Sequence, residues 1–404
     1  MPWRRNLYAV TAAGFIGFTG FTLVMPFLPL YFEQLGLTDV GEIAMWSGLS
    51  LGVTPAVTAF MAPFWGRLAD RYGRKIMVQR SLVSFVFVMA AMAFVTEPWH
   101  VFALRTIQGL FAGYGALTLT MAADVAPKEQ TAYAIGFVQT AQRIGPAIGP
   151  VVGGIVAQAV GLRNAFFVTS SFYACAVLVV TFGYDERGVL KRVAQGEAGR
   201  VTFRSVLAFE NFVLLMAVVF GLQVVDRSFG PVLPLFVAAL GTESPRVPLL
   251  AGILFSISAG TGAFGNHICG GLMHRSGARR VIVSACAIAA AGVSGYLLAG
   301  SAWWLVLPTA VFGVAIGAAT TAAYTAASSI IPFSARGSGF GLLTTASLVG
   351  LAVSPIASGL LAVTSIEAVF LMDALILTTL ALMVSRLMII SPLPAASSPP
   401  TEEI

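Results

Sequence analysis

Twelve apolar stretches, each long enough to cross a bilayer as a helix, dominate this sequence of 404 residues. A hydrocarbon core about 30 Å thick requires about 20 apolar residues in helical conformation. Only 10% of the residues are charged and 57% are hydrophobic, whereas soluble domains carry about 25% charged residues. This pattern predicts an all-α membrane protein. The predicted spans, numbered 1 to 12, are 7–32, 43–64, 76–96, 99–123, 131–158, 164–183, 210–238, 247–270, 280–300, 302–326, 337–363 and 366–389.

Basic residues in the loops predict the orientation of the chain. Lysine and arginine collect in the loops on one side, whereas the other side holds only Arg163 and Arg246. Cytoplasmic loops carry an excess of basic residues, so we expect both termini in the cytoplasm of a multi-pass inner-membrane protein. The net charge of +6 follows from this bias and does not indicate nucleic-acid binding.

The first apolar run is long enough to be a retained helix rather than a cleaved signal peptide. No structural disulfide is expected among Cys175, Cys269 and Cys286.

The second half of the sequence repeats the first at an offset of 205 positions. The repeated residues are glycines and prolines in the same order, which predicts two six-helix bundles related by an axis along the membrane normal. We expect these bundles at 1–183 and 207–389, with a cytoplasmic linker at 184–206 and a disordered tail at 390–404. The matched residues are Pro26 with Pro231, Pro29 with Pro234, Gly136 with Gly341, Gly145 with Gly350, Pro150 with Pro355 and Gly154 with Gly359.

Span 5 carries glycines and prolines at fixed spacing inside an apolar helix. In a helix interior, glycine costs about 1 kcal/mol and proline about 3 kcal/mol relative to alanine. In a membrane, small residues let helices approach closely, and neighbouring helices satisfy the backbone groups that proline frees. We therefore expect span 5 to pack tightly against other helices. The residues of this motif are Gly136, Gly145, Gly149, Pro150, Gly153 and Gly154.

The loop between spans 2 and 3 combines two glycines with one acid and several bases. The glycines permit a tight turn and close helix approach. Asp70 could face the N-terminus of span 11 near residues 334–338, where the helix dipole favours an anion. The loop is therefore either a gate between the two halves or a determinant of topology alone. Its residues are Gly66, Asp70, Arg71, Gly73, Arg74 and Lys75.

These two motifs resemble those of drug:proton antiporters of the major facilitator superfamily. The resemblance extends over essentially the whole chain and is closest to twelve-helix bacterial multidrug-efflux proteins. It implies two pseudo-symmetric six-helix bundles, no cofactor, and an Asp70 contact that locks the cytoplasmic side in the outward-open state. It also implies a role for Arg105 in proton transfer, with a helix-packing hydrogen bond as the alternative. Two shorter motifs support it: Gly20-x5-Pro26-x2-Pro29 in span 1 and Arg105-x2-Gln108-Gly109 in span 4.

Charged residues inside the spans are few, and each is a candidate for proton coupling because an isolated charge in the membrane is costly. Asp226 leads, since it lies about 20–25 Å from the cytoplasmic end of its span. Its protonation would release a basic partner; a permanent ion pair with Arg227 or Arg143 is the alternative.

The chain departs from many relatives in having no acid in span 1 before Glu33. Arg143 adds positive charge that would favour anionic or zwitterionic substrates. The candidates are Asp226, Arg105, Arg143, Glu33 and Asp373.

A substrate cavity is expected between spans 1, 4, 7 and 10. Methionine and aromatic side chains suit varied amphipathic ligands, although each of them could instead face lipid or pack between helices. The predicted lining residues are Phe21, Met25, Tyr31, Phe111, Tyr114, Gln223, Phe229 and Tyr324, with Phe27, Met121 and Phe236 as further candidates.

Together these observations predict a monomeric, proton-coupled exporter of lipophilic or amphipathic drug-like compounds that works by alternating access. The partners would be a small-molecule substrate, protons and the bilayer. An exporter of a metabolite, sugar or siderophore on the same fold is the alternative, and a non-transporting receptor is a third possibility. A membrane enzyme has no support, because the sequence contains neither a metal-protease motif nor a phosphate-binding loop. The three histidines lie outside metal-ligand spacing, so no metal site is expected.

Overall fold

The structure, a computed structural model, describes residues 2–127, 130–185, 207, 209–331 and 336–389. It also describes their side chains, except those of Pro2, Pro63, Asp70, Ala132 and residues 336–338. The described part of the chain is helical and contains no strand. Its helices are α1 Pro2–Leu23, α2 Leu28–Gln34, α3 Val40–Tyr72, α4 Arg74–Met92, α5 Pro98–Phe111, α6 Tyr114–Val125, α7 Thr131–Val160, α8 Leu162–Gly183, α9 Phe212–Ala239, α10 Val247–Ser294, α11 Val306–Ile330, α12 Arg336–Ala362 and α13 Ile366–Leu387.

Ten helical stretches in the described part of the chain are long and apolar enough to cross a membrane. One of them, Ser244–Leu298, covers predicted spans 8 and 9, which α10 joins without a loop. Within α10, Gly277 has a left-handed φ of 77°, which reverses the chain between the two spans. Span 4 is missing from the ten because it is divided into α5 and α6. With α10 counted as two crossings and α5–α6 as one, the twelve-helix prediction is confirmed.

The break between α1 and α2 divides predicted span 1, which we had expected to be continuous. Pro26 and Pro29 lie at this break, with Pro29 in the first turn of α2. Proline has no backbone N–H and clashes with the preceding turn, so it ends one helix and starts the next. The expectation of one unbroken helix over 7–32 was therefore wrong.

The break between α5 and α6 has a different cause. Gly113 adopts a φ of 125° and interrupts the helical hydrogen bonds of span 4. The guanidinium group of Arg80 in α4 donates hydrogen bonds to the carbonyl oxygens of Phe111 (2.9 Å) and Ala112 (3.3 Å). The same group lies 3.3 Å from the ring centroid of Trp65. Arg80 thus satisfies carbonyl groups that the break leaves unpaired, which is why a non-helical segment is tolerated at this depth.

Close helix pairs hold each half of the chain together and also join the two halves. In the first half, α1 packs against α7 and α8, and α4 packs against α8. In the second half, α10 packs against α11, and α9 against α12. The two halves meet along the pairs α3–α12 and α7–α10. Residues 186–206 and 390–404 lie outside the described residues, so the predicted linker and tail remain predictions.

The two ends of the bundle differ in how closely the halves approach. We call the end that holds the start of α1 and the end of α13 the terminal end, and the opposite end the distal end. At the distal end, a Cβ atom on Gly154 would lie 2.5 Å from the carbonyl oxygen of Pro248. A Cβ atom on Gly359 would lie 2.5 Å from the carbonyl oxygen of Ala44. The halves therefore touch through backbone atoms at this end. At the terminal end, added Cβ atoms would meet no described atom within 4 Å at Gly66, Gly136, Gly270 and Gly341.

Candidate substrate cavity

A cavity of about 520 Å³ lies between the two halves, surrounded by α1, α6, α7, α9, α10 and α11. Polar and charged side chains form much of its wall. A larger apolar groove of about 670 Å³ lies between α10 and α11, but it belongs to one half and has a single charged lining residue, Arg280. The central cavity is therefore the candidate site. Its polar and charged lining residues are Thr22, Gln139, Gln142, Arg143, Gln223, Asp226, Arg227, Ser258, Asn266 and Thr320.

Two helices contribute polar residues to the cavity at the same spacing. Positions i, i+3 and i+4 of a helix lie on one face, so three polar residues at this spacing form a polar stripe. Both stripes are present in the sequence, but of the amides in the cavity wall only Gln223 was predicted. The stripes are Gln139, Gln142 and Arg143 in α7, and Gln223, Asp226 and Arg227 in α9.

The charged groups of the cavity are one aspartate and two arginines. The Nε atom of Arg227 lies 3.2 Å from Oδ2 of Asp226, and about a third of each side chain is exposed (34% and 32%). The pair therefore borders the open cavity. Arg143 is exposed and lies within 4.0 Å of no carboxylate among the described side chains. The sequence-based candidates Asp226 and Arg143 thus lie in one cavity, and of the two possible partners Arg227 pairs with Asp226.

Hydrogen bonds fix the direction of two amide groups in the wall. Oδ1 of Asn266 accepts a hydrogen bond from Thr321 (2.9 Å), which leaves its Nδ2 group as a donor. Nε2 of Gln142 donates to the carbonyl oxygen of Gly115 (3.0 Å) and to Oγ1 of Thr118 (2.9 Å). The Oε1 atom of Gln142 is consequently left as an acceptor. The wall therefore offers oriented groups of both kinds.

A smaller pocket of about 40 Å³ shares Met25 and Arg227 with the central cavity. Phe21 and Arg105 also line this pocket. Arg105 is only 2% exposed and donates a hydrogen bond to Oε1 of Gln108 over 2.9 Å. Among the residues predicted to line the cavity, Met25 and Gln223 border the central cavity, and Phe21 borders the adjoining pocket.

The other predicted lining residues of the first half lie away from the cavity. Tyr31 is fully buried and donates a hydrogen bond to the carbonyl oxygen of Met92 (2.6 Å). Tyr114 is buried against the rings of Phe18 and Phe85, and Phe111 stacks on a tryptophan of α3. Large rings fill the gaps between helices of one half, so these three residues pack helices rather than face a ligand. Phe27 and Met121 are buried in the same manner.

A similar cluster holds the predicted aromatic residues of the second half. The ring of Phe229 packs at 5.1 to 5.8 Å from those of Tyr296, Phe312 and Phe370. Phe236 extends the cluster, and Tyr324 packs against the core without bordering the cavity. The prediction that Phe229, Phe236 and Tyr324 line the cavity is therefore wrong.

Two candidate acids also lie outside the cavity. Asp373 in α13 is fully buried, and its Oδ2 atom lies 2.5 Å from the hydroxyl oxygen of Ser228 in α9. Glu33 is exposed in the short helix α2. Neither residue lines the cavity with Asp226. Of the five candidates, Asp226 and Arg143 line the central cavity, Arg105 lines the adjoining pocket, and the two remaining acids lie outside both.

The predicted gating loop forms contacts within the first half. Gly73, with a φ of 96°, joins α3 to α4. Arg74 pairs with Asp124 of α6, and Lys75 Nζ donates to the carbonyl oxygens of Thr181 (2.9 Å) and Tyr184 (2.6 Å). These bonds tie the start of α4 to α6 and to the end of α8. Arg71 lies over the ring of the adjacent tyrosine. The side chains of Asp70 and residues 334–338 lie outside the described residues, so their predicted contact stays a prediction.

The glycine motif brings α7 into direct contact with α1. A Cβ atom on Gly145 would lie 2.9 Å from the backbone nitrogen of Thr19, and one on Gly149 would lie 2.7 Å from its carbonyl oxygen. A Cβ atom on Gly153 would collide with the carbonyl group of Leu23. The tight packing expected for span 5 is therefore present in the structure.

Twelve membrane crossings in two halves around a polar cavity define a transporter-type membrane protein. The sequence profile of the Major Facilitator Superfamily matches residues 10–345 and, in a second match, residues 229–404. The chain belongs to this superfamily, as its motifs had indicated.

Relatives and solved structures agree with this assignment. A multi-drug resistance efflux pump PmrA homolog of Lactococcus lactis is 31% identical over 70% of this chain and 69% of that protein. The multidrug resistance protein MdtG of Enterobacter lignolyticus is 32% identical over 80% of this chain and 77% of that protein. An inward-facing, occupied bacterial homolog of the human lysosomal transporter Spinster superposes with a TM-score of 0.78, at 15% identity, over 96% of this chain and 98% of that one. The nucleoside transporter NupG superposes with a TM-score of 0.72, also at 15% identity, over 93% of this chain and 99% of that one. These two structures share the fold.

Proposed function

We propose that this protein exports lipophilic or amphipathic drug-like compounds from the cytoplasm by alternating access, driven by protons. The observation that carries the proposal is the Asp226–Arg227 pair in a polar cavity between the two halves. The names of the relatives from Lactococcus lactis and Enterobacter lignolyticus, both multidrug resistance proteins, support a drug-like cargo. The protein would act as a monomer in the inner membrane, with its terminal end in the cytoplasm.

Asp226 would couple proton movement to substrate movement. In its ionised form, the carboxylate attracts the guanidinium group of Arg227. Protonation removes that attraction and frees the guanidinium to turn toward the cavity. Because both side chains are about one-third exposed, a bound compound that donates a hydrogen bond to the carboxylate of Asp226 would compete with a proton for it. Proton binding and substrate binding would therefore exclude one another, as antiport requires.

The glycine contacts would allow the two halves to rock against each other. Helices that touch through backbone atoms have few interlocking side chains, so small sliding movements are possible along them. Opening the distal end would separate Gly154 from Pro248 and Gly359 from Ala44. We propose that residues 1–183 and 207–389 move as two bundles joined by the linker at 184–206.

The test compares Asp226→Asn with the wild-type protein and with Glu33→Gln, which removes an acid outside the cavity. Each protein is reconstituted into liposomes, and release of protons on addition of a compound is followed with a pH-sensitive dye. We expect Asp226→Asn to lose substrate-driven proton movement and Glu33→Gln to keep it. Equal amounts of folded protein in the liposomes are checked by gel filtration after extraction.

Retained proton movement in Asp226→Asn would rule out Asp226 as the coupling acid. Proton movement driven by a metabolite, and by no drug-like compound, would keep the coupling and replace the proposed cargo. A complete lack of response in the wild-type protein over a broad panel of cations, anions and zwitterions would contradict proton-coupled export.

A further inference from the structure

The central cavity has more positive than negative charge, and we propose that its substrates are amphipathic anions or zwitterions that present a carboxylate or similar group to Arg143. This inference rests on the proposed function, because it names the substrate class of the same cavity. It also separates this cavity from one built to hold a lipophilic cation.

The charges of the lining carry the argument. Asp226 is the single acid among the described lining residues, and Arg227 lies 3.2 Å from it. Arg143 lines the cavity from the other half of the chain and is exposed. Within 4.0 Å it meets no carboxylate among the described side chains. A cation entering the cavity would meet a carboxylate that is already paired and an arginine that repels it, whereas an anion would meet an unpaired guanidinium group.

The membrane setting strengthens this preference. Charges inside a low-dielectric wall interact more strongly than charges in water. Arginine keeps its proton at all physiological pH values and offers five N–H donors in a planar fork, which matches a carboxylate through two parallel hydrogen bonds. Arg143 therefore offers a bound carboxylate both a positive charge and paired donors.

Neighbouring groups favour an anion in the same way. The Nδ2 group of Asn266 is left as a donor because Thr321 occupies its Oδ1 atom. Gln139 lies one helical turn before Arg143 on the same face of α7, which adds a second amide beside the guanidinium. The apolar remainder of the wall suits a hydrophobic body on the same ligand. The larger apolar side chains of this wall are Phe18, Met25, Leu119, Phe255 and Ile316.

The experiment uses three compounds that share one rigid apolar skeleton and differ in one group: a carboxylate, its methyl ester and a trimethylammonium. Binding to the detergent-purified full chain is measured by isothermal titration calorimetry. We expect the carboxylate to bind roughly tenfold or more tightly than the ester, as a charge-assisted hydrogen bond provides, and the ammonium to bind weakest. Arg143→Gln should remove the advantage of the carboxylate and leave the affinity for the ester unchanged.

Two further variants make the result specific. Arg143→Lys retains the charge without the planar fork, so it should keep part of the preference for the carboxylate. Arg246→Gln removes an exposed arginine at the distal end, outside the cavity, and should behave as wild type. Ester binding that survives in Arg143→Gln shows that this variant is folded.

The inference is overturned if the ammonium binds best, if none of the three compounds binds, or if Arg143→Gln keeps the preference for the carboxylate. Proton release in liposomes separates this result from the proposed function. Carboxylate binding that depends on Arg143 without proton release would contradict the coupling and leave the substrate class intact. Proton release driven by the ammonium alone would support the coupling and contradict the proposed substrate class.

Discussion

Helices α7 and α12 occupy equivalent places in the two halves of the chain, yet they hold their neighbouring helices differently. Helix α7 meets α1 through three glycines at intervals of four residues. At the positions 205 residues later, α12 has one glycine and two buried serines, and Gly350 and Ser354 contact α9. The equivalent residues are Gly145 with Gly350, Gly149 with Ser354, and Gly153 with Ser358.

At Gly145, Gly149 and Gly153 the contact of α7 with α1 is made mainly by backbone atoms. The nearby hydroxyl groups of Thr19 and Thr22 donate hydrogen bonds to carbonyl oxygens of α1 itself, at 2.7 and 3.1 Å. In the second half, the hydroxyl of Ser354 donates a hydrogen bond across to the carbonyl oxygen of Val224 in α9. A directional bond therefore anchors α9 to α12, whereas the described residues of α1 and α7 are held by close packing without a hydrogen bond between the two helices. Because α9 carries Asp226 and Arg227, the anchored contact also fixes the position of the charged pair.

The largest expected effect comes from adding a methyl group to the contact of α7 with α1. In Gly153→Ala the Cβ atom would collide with the backbone of Leu23, which cannot turn away as a side chain can. Overpacking of this kind costs about 1–3 kcal/mol and sometimes more. We expect a clear fall in the melting temperature of the detergent-purified protein, followed by circular dichroism. An unchanged melting temperature would mean that the two helices separate freely, so the packing would not be tight.

A smaller effect is expected in the second half. Ser354→Ala removes the hydrogen bond to Val224 and should cost about 0.5–1.5 kcal/mol, measured by the same melting experiment. Ser358→Ala is the matched control, because its hydroxyl bonds to the carbonyl oxygen of Pro355 within α12 (3.2 Å). Equal losses in the two variants would remove the distinction between an anchored and an unanchored contact.

The smallest effect is expected at the terminal end. Gly136 and Gly341 are exposed within helices, and an added Cβ atom would meet no described atom within 4 Å. Alanine at either position should therefore leave the melting temperature unchanged or raise it slightly, since alanine favours a helix by about 1 kcal/mol over glycine. A marked loss of stability in Gly136→Ala would reveal a contact at this end and would weaken the contrast with Gly153.

Most of the fold was predictable, because a long apolar run in a chain with few charges has few alternatives to a membrane helix. The break between α1 and α2 could have been read from Pro26 and Pro29. The break between α5 and α6 could not, because it depends on Arg80 reaching from another helix to the carbonyl oxygens of Phe111 and Ala112. The sequence around Phe111 and Ala112 does not indicate a contact with a residue of another helix.

The candidate site was predictable in its charges and not in its apolar wall. Asp226 and Arg143 were identifiable because a charge inside an apolar span is costly unless it faces a partner or a polar cavity. Aromatic residues such as Tyr31 and Phe229 gave no such signal, since lipid, a neighbouring helix and a cavity are all compatible with an apolar ring. The amides Gln139 and Asn266 were visible in the sequence, and treating them as part of a polar face would have found them.

The backbone contact of α7 with α1 also limits how this protein can vary over time. Every amino acid other than glycine has a Cβ atom, so any missense change in the codon of Gly149 or Gly153 places an atom against the backbone of α1 or the side chain of Thr22. Only silent changes leave that contact intact. The codon of Ser354 is less restricted, because alanine or glycine there removes a single hydrogen bond without adding volume. Genetic drift should therefore alter α12 before it alters α7.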